Sequence, residues 1–248
     1  MVQNTVVRVL FIGKRVLAVV PARGGSKGLP KKNLRKVGGV SLVGRAGVIA
    51  SSLKWLDKAV LSTDSAEIAS EGRKYGLDVP FIRPDDLAGD HVGPVPVMQH
   101  AVRECEGRLE LTFDVIVLME PTCPLRRPDD VERVVQCLIE SGSDSAFCVS
   151  PIPHNHHPAK AFALRDGKME FYMPETEAVP NRQSLPEAFF RNGAAYAVTR
   201  ECLMDRDSLF GEDMRGIVVQ RILPHVDYLE DIEYAESVLR REKALPYA

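Results

Sequence analysis

The sequence predicts an α/β fold: an open, mostly parallel, doubly wound sheet with a small β-rich excursion. Three observations carry this. Apolar runs of strand length alternate with segments of helical spacing, the order that β-α-β units produce. The strand-like runs are apolar throughout rather than at every second residue, as strands covered on both faces are. A Gly-rich turn follows the first of them, where doubly wound sheets open their ligand crevice. The chain has 248 residues, 45% hydrophobic and 27% charged, and a chain of this length buries about three-quarters of its unfolded surface without a staple. The composition excludes a disordered tail, a collagen and a disulfide-framed mini-domain.

In chain order, Arg15–Pro21 reads as the first strand and Ser41–Leu53 as a helix. Lys58–Ser62 is a second strand, and Ser65–Tyr75 a helix with Ser65 as cap and Gly76 as stop. Val79–Ile82 is a short extended piece, Val95–Glu106 a helix and Phe113–Met119 a buried strand. Asp129–Glu140 forms a helix closed by Ser141-Gly142, and Ser145–Val149 a strand. From Pro151 to Arg191 the pattern changes. Prolines recur at 151, 153, 158, 174, 180 and 186, and Ala161–Leu164 and Met169–Tyr172 read as short extended pieces. Such a stretch suits a lid or a subunit contact. Ala194–Val198 resumes the sheet, Ile217–Arg221 adds a strand, and Glu230–Lys243 is the terminal helix. Without repeats or a low-complexity linker, residues 1–248 read as one Rossmann-like domain with an excursion at 151–191 inserted in it.

Net charge is −2, but its distribution is uneven. The first acidic residue is Asp57; the 11 basic residues before it give that stretch +11 and leave −13 for the rest. Such a field attracts phosphates or nucleic acid, or answers to acids of its own chain. The aromatics that single-stranded nucleic acid stacks on are not interleaved with it, which argues against a nucleic-acid partner. Val6–Val20 is apolar but interrupted by Lys14 and Arg15, short of a membrane span and followed by no clear cleavage site. Five Cys without a C-x-x-C pair read as thiols of a reducing compartment. A cytoplasmic protein without a membrane partner is expected.

The segment after the first strand, Ala22-Arg-Gly-Gly-Ser-Lys-Gly-Leu-Pro-Lys-Lys-Asn33, concentrates the chemistry. A Gly-rich turn at the carboxyl end of a parallel strand presents several backbone N–H groups to one concavity, an anion nest, and Arg23, Lys27, Lys31 and Lys32 supply counter-charge. It fits neither the G-x-x-x-x-G-K-[ST] nor the G-x-G-x-x-G phosphate loop. The segment resembles the signature loop of the acylneuraminate cytidylyltransferases, the CMP–sialic acid or CMP–nonulosonic acid synthetases. Six further segments resemble that family in order and spacing: Leu61–Asp64, Arg83–Ala88, Pro121–Arg126, His156–Lys160, Arg182–Pro186 and Arg191–Ala194. The likeness runs from about Val16 to Leu239.

The resemblance implies a nucleotidyltransferase in which the anomeric hydroxyl of a nonulosonic acid attacks the α-phosphate of CTP, giving a CMP-sugar and pyrophosphate. Charge builds on the phosphates, so cations, backbone donors and a divalent metal are expected to dominate catalysis. It places Ala22, Arg23, Gly24, Gly25, Ser26, Lys27, Lys32, Asn33, Arg83 and Val92 at the nucleotide, with Arg23, Lys32 and Asp227 as catalytic residues. It places Glu120, Thr122, Lys160, Arg182, Gln183, Asn192 and Tyr196 at the acidic nine-carbon sugar. It also implies a homodimer, with a dimer of dimers as the larger alternative.

Three positions depart from the family's pattern. An acidic pair of the form D-x-D holds Mg²⁺ in the family, and here His225 precedes Asp227. One carboxylate plus phosphate oxygens suits Mg²⁺, whereas an imidazole ligand favours Mn²⁺. Glu120 stands where Gln is common, which points to an altered, amino-bearing sugar. Val92-Gly-Pro94 lacks a hydroxyl-rich run, which leaves base recognition to backbone groups. The alternatives are a transferase for another sugar acid or NTP, and a nucleotide-binding module without turnover. His154-Asn-His-His157 is not expected to bind zinc, and Cys123 reads as a packing residue rather than a nucleophile.

Overall fold

The computed structural model describes residues 11–173 and 185–244. At its centre β1 (Val16–Pro21) lies between β4 (Lys58–Ser62) and β5 (Val115–Leu118), parallel to both. Two short strands, β2 (Lys36–Val37) and β3 (Val40–Ser41), form a separate hairpin. The main sheet continues through β9 (Phe189–Thr199), β6 (Ser145–Pro151) and β10 (Met214–Val218), giving the order β10-β6-β9-β5-β1-β4. β9 runs antiparallel to both of its neighbours, and the other pairs are parallel.

The apolar run of β1 feeds two cores. Val16, Ala18 and Val20 pack on one face with residues of α1 (Leu42–Ser52) and α4 (Pro128–Ser141). Leu17 and Val19 pack on the other with α3 (Pro94–Leu109) and α5 (Arg200–Met204). All five residues are fully buried, so the period-2 alternation of a strand fills both layers of a doubly wound sheet. A smaller cluster joins Leu29, Val37 and Leu42 to Val226, Ala235 and Val238, seating α6 (Leu229–Ala244) beside the Gly-rich turn.

Helix ends follow local chemistry. Ser65 caps α2 (Ala66–Lys74) by accepting from the Ile68 N–H, and Gly76 takes φ +86° just beyond it. Gly142 ends α4 at φ +66°. The expected strand at Val79–Ile82 does not form. A single bridge, Val60 to Asp78, forms beside β4, and Pro80 lacks the N–H that would continue the ladder. The last strand lies earlier than expected, at Met214–Val218 rather than Ile217–Arg221. Arg221 leaves the sheet to pair with the buried carboxylate of Asp130. Ala194–Val198 proves to be only the end of the longer β9.

Within 151–191, β7 (Phe162–Arg165) and β8 (Lys168–Phe171) form an antiparallel hairpin outside the main sheet. Its entry and exit are stitched together: Pro151 pairs with Phe189, and the Ile152 N–H donates to the Ala188 carbonyl. Among the described residues, no helix is long and apolar enough to cross a membrane.

Candidate active site

β1 has β4 on one side and β5 on the other, so the chain reverses direction across the sheet at β1. Open α/β sheets bind ligands outside the carboxyl ends of strands at such a point. A cavity of about 550 Å³ lies there, walled by the turn after β1, by Arg83, by the start of α3, by the turn after β5 and by Asp227 and Tyr228.

The Gly-rich turn is held from beneath. The Ala22 N–H donates to the Ser62 carbonyl, the Gly24 N–H to Asp64 Oδ1 at 2.8 Å, and Asn33 Nδ2 to the Arg23 carbonyl at 3.0 Å. Ala22 and Asn33, both expected at the nucleotide, are thus buried, Asn33 still contributing to the cavity wall. Among the described residues, the amides of Gly25, Ser26, Lys27 and Gly28 have no hydrogen-bond partner, which leaves a run of donors for an anion. A Cβ at Gly28 would sit 3.1 Å from the Asp227 carbonyl, so glycine lets the turn close on the Asp227–Tyr228 segment.

Arg23, Lys27 and Lys32 line the cavity, but Lys31 does not. It turns outward to Glu67 at 2.8 Å, which corrects the expectation of four cations in the nest. Lys32 Nζ lies 2.8 Å from Asp227 Oδ1, and Arg23 and Lys27 share the carboxylate of Asp90. Arg83 adds a cation beside the turn. Its guanidinium donates to the Ser62 hydroxyl at 3.0 Å and the Ser62 carbonyl at 2.5 Å. Burial lowers its pKa to about 10, with Asp64 opposing, so it stays charged at neutral pH.

On the far wall, Glu120 and Thr122 follow β5. His225 joins this wall to Asp227: Nδ1 lies 3.1 Å from Asp227 Oδ2, and Nε2 lies 2.8 Å from Thr122 Oγ1 and 3.6 Å from Glu120 Oε2. Its pKa is raised by the hydrogen bond to Glu120, against desolvation, and by Asp227. Asp227 is desolvated, yet the hydrogen bond from Lys32 and the nearby His225 hold its carboxyl below the usual range. The Asp227 and Tyr228 amides both donate to Asp231 Oδ2 at 2.8 Å, which fixes this turn at the start of α6.

A second cavity of about 570 Å³ adjoins the first and shares Pro94 and Glu120 with it. Phe147, Phe189, Phe190, Tyr196 and Phe210 line it, with Arg191 as its cation. Tyr196 packs edge-on to Phe147 at 5.6 Å between ring centres, and burial pushes its hydroxyl pKa up. Arg191 lies 4.7 Å from the Phe210 ring centre. Asn192, expected at the sugar, is buried instead, bonding Ser150 Oγ and the Ala194 N–H. Lys160 lies 2.6 Å from His154 Nε2 and lines neither cavity. Arg182 and Gln183 lie outside the described residues.

Four contributors were not singled out in the sequence. Asp64 lies in Leu61–Asp64, a segment that resembles the family, Asp90 looks like an ordinary surface acid, and the phenylalanines of the second cavity come from three separate segments. Arg126 is the fourth. Its buried guanidinium donates to the carbonyls of Glu120 (2.5 Å), Gly193 (3.0 Å) and Ala194, tying the turn after β5 to β9. Its place in Pro121–Arg126 was the available signal.

The family profile described as "Cytidylyltransferase" matches residues 17–238. CMP-N,N'-diacetyllegionaminic acid synthase of Legionella pneumophila is 29% identical over 89% of this chain and 94% of its own. Pseudaminic acid cytidylyltransferase of Campylobacter jejuni is 27% identical over 90% and 96%. Among solved structures, a CMP:2-keto-3-deoxy-manno-octonic acid synthetase complexed with CTP superposes with a TM-score of 0.70 at 17% identity, covering 92% of this chain and 99% of that one. That likeness is one of fold.

Proposed function

The chain belongs to the cytidylyltransferase family, and we propose from this that it activates a nonulosonic acid with CTP, releasing a CMP-sugar and pyrophosphate. One observation carries the assignment to these residues. Three loop cations, Arg83 and the stretch Ser26–Gly28 with its unpartnered amides line one cavity, Gly24 and Gly25 lying outside its lining, and Glu120 and Pro94 are shared with a second cavity of similar size. The reaction needs two anionic reactants held side by side, with the attacking oxygen at the junction.

In the first cavity, Arg23, Lys27, Lys32 and the amides of Ser26–Gly28 hold the triphosphate. Arg83 and the backbone around Val92 meet the nucleoside. The acceptor occupies the aromatic cavity, with Tyr196 against its ring and substituents and Arg191 as counter-ion to its carboxylate. Its anomeric hydroxyl oxygen bonds to the α-phosphorus and releases its proton to solvent water as the bond from that phosphorus to the β-phosphate bridge breaks, and pyrophosphate leaves with the bond's electrons. Arg23 and Lys32 stabilise the charge that develops on the transferred and leaving groups. Glu120 lines both cavities and accepts hydrogen bonds from the acceptor, which favours sugars presenting a hydroxyl, amide N–H or ammonium there. Lys160, Arg182 and Gln183, from the excursion, are assigned to the acceptor of the same or a neighbouring subunit.

A divalent ion fits the donor set. Asp227 offers a hard, half-exposed carboxylate at the cavity edge, and Mg²⁺ is commonly held by one carboxylate together with phosphate oxygens and water. When bound, the ion supplies further neutralisation of phosphate charge. Both ring nitrogens of His225 already face hydrogen-bond partners, so a direct ligand role, which would favour Mn²⁺, requires it to give up one of them. The hairpin carries exposed Phe162, Leu164 and Met169, which supports a homodimer through the excursion. Five free thiols, together with the proposed use of CTP, support a cytoplasmic location.

The test is pyrophosphate release with CTP, Mg²⁺ or Mn²⁺ and a panel of nonulosonic acids. Turnover with at least one sugar and with CTP over other NTPs is expected. Calorimetry showing that CTP does not bind with divalent ions present refutes the reading. Tight CTP binding without release from any sugar leaves a nucleotide-binding module.

A further inference from the structure

In this structure the cations assigned to the triphosphate already hold carboxylates. Lys32 pairs with Asp227, while Arg23 and Lys27 share one group, Asp90. Asp90 stands apart from Asp227, because it comes from across the cavity, on the turn before α3, where the Val92 N–H returns to the Gly89 carbonyl. Its Oδ1 lies 2.5 Å from Arg23 Nη1 and its Oδ2 lies 2.5 Å from Lys27 Nζ. The Lys27 side chain is 82% exposed, and this pairing fixes it over the cavity.

A carboxylate bridging two cations through separate oxygens reproduces the charge and the two-oxygen geometry that a phosphoryl group presents. We infer that Asp90 is an internal phosphate mimic that competes with incoming anions for Arg23 and Lys27. An anion reaching both cations must displace Asp90, and while it stays, the expelled carboxylate remains nearby as a like charge. Affinity for every such anion is therefore reduced by the fraction of molecules in which the cations are free. A triphosphate also engages the amides, Lys32 and the nucleoside contacts, and so bears this reduction. Pyrophosphate has fewer contacts, so the same reduction hastens its departure. Asp90 thereby weakens both anions by the same factor, which shortens the stay of pyrophosphate in the site without changing its affinity relative to CTP.

This inference rests on the proposed triphosphate site, and its test separates the two. Calorimetry with Mg²⁺ measures inorganic pyrophosphate and CTP binding to the wild-type chain and to Asp90→Asn and Asp90→Ser. If the bridged state outweighs the free one about tenfold, both variants bind pyrophosphate about tenfold more tightly. CTP binding tightens by a similar factor, since the triphosphate meets the same two cations. Asp86→Asn removes one negative charge from an exposed position on the neighbouring turn and is expected to stay within about twofold of wild type. Circular dichroism confirms that each variant is folded; Asp90 is a surface residue, and agreement between its two replacements excludes an effect of one new side chain. Pyrophosphate binding that is unchanged or weaker in both Asp90 variants, while wild type binds CTP, overturns the role of Asp90 alone. Failure of the wild type to bind CTP overturns the site.

Discussion

Gly193 tests whether Glu120 serves the acceptor without serving the nucleotide. It sits in β9 at φ +75°, a conformation that costs an L-residue about 1–2 kcal/mol. A Cβ built there falls 2.8 Å from Glu120 Oε2 and 3.1 Å from His225 Cδ2. Ordinary contact begins near 3.4 Å, so the Glu120 carboxylate must retreat by about 0.6 Å. Gly193→Ala is therefore expected to lower the melting temperature by about 2–8 °C, at 2–4 °C per kcal/mol for a chain of this size. A 1 Å misplacement near the reacting atoms costs up to about 100-fold. A shift of about 0.6 Å then predicts a fall of about tenfold in acceptor kcat/KM. Gly193 does not line the nucleotide cavity, so the Kd for CTP stays within about twofold. The assays are differential scanning fluorimetry, calorimetry with CTP, and pyrophosphate release at varied acceptor. A folded variant with acceptor kcat/KM within twofold of wild type refutes the placement of Glu120. A parallel loss of CTP affinity refutes the separation of the two cavities.

Other changes probe the remaining assignments. Glu120→Gln keeps the shape and removes the charge, so acceptor preference in the panel assay is expected to move by about tenfold toward sugars lacking an amino substituent, the scale of one charge-assisted hydrogen bond; an unchanged order of preference contradicts the selectivity assigned to Glu120. Phe162→Asp with Leu164→Asp places two charges on the exposed hairpin and is expected to convert a dimer to monomers in light scattering, while a wild type that runs as a monomer removes that reading. Four cysteines are buried and Cys137 is partly exposed. Burial pushes the thiols of Cys105 and Cys123 up to about 11 and that of Cys148 to about 12. At pH 8 the native protein is therefore expected to react quickly with iodoacetamide only at Cys137, and mass spectrometry finding rapid labelling of Cys123 restores it as a nucleophile candidate.

The strands and helices nearest the Gly-rich turn were legible because local pattern and tertiary environment agree there. β1 and β4 are apolar and continuous, and α2 carries both its serine cap and its glycine stop. Antiparallel β9 was not legible as such, since strand direction leaves no periodic trace, and its first residues read as part of the proline-rich excursion. The cavity proposed for the nucleotide was visible through the crowding of cations around glycine in one segment. In the cavity proposed for the acceptor, Glu120 and Tyr196 were visible only through the family resemblance, and folding alone joins them to Phe189, Phe190 and Phe210 as one surface. Arg126 and Asn192 show the limit from the other side. Both fall in segments that resemble the family, yet their side chains are buried among backbone groups and positioning is what they visibly do.

The stitching of Pro151 to Phe189 separates two kinds of evolutionary freedom. The chain leaves the sheet and re-enters it through neighbouring rungs of one ladder, so residues 152–188 can lengthen, shorten or be exchanged without altering the register of β6 or β9. The residues lining both cavities lie outside 152–188 and do not register such exchanges. A lineage built this way can remodel the outer hairpin, and whatever meets it, while both cavities keep their walls.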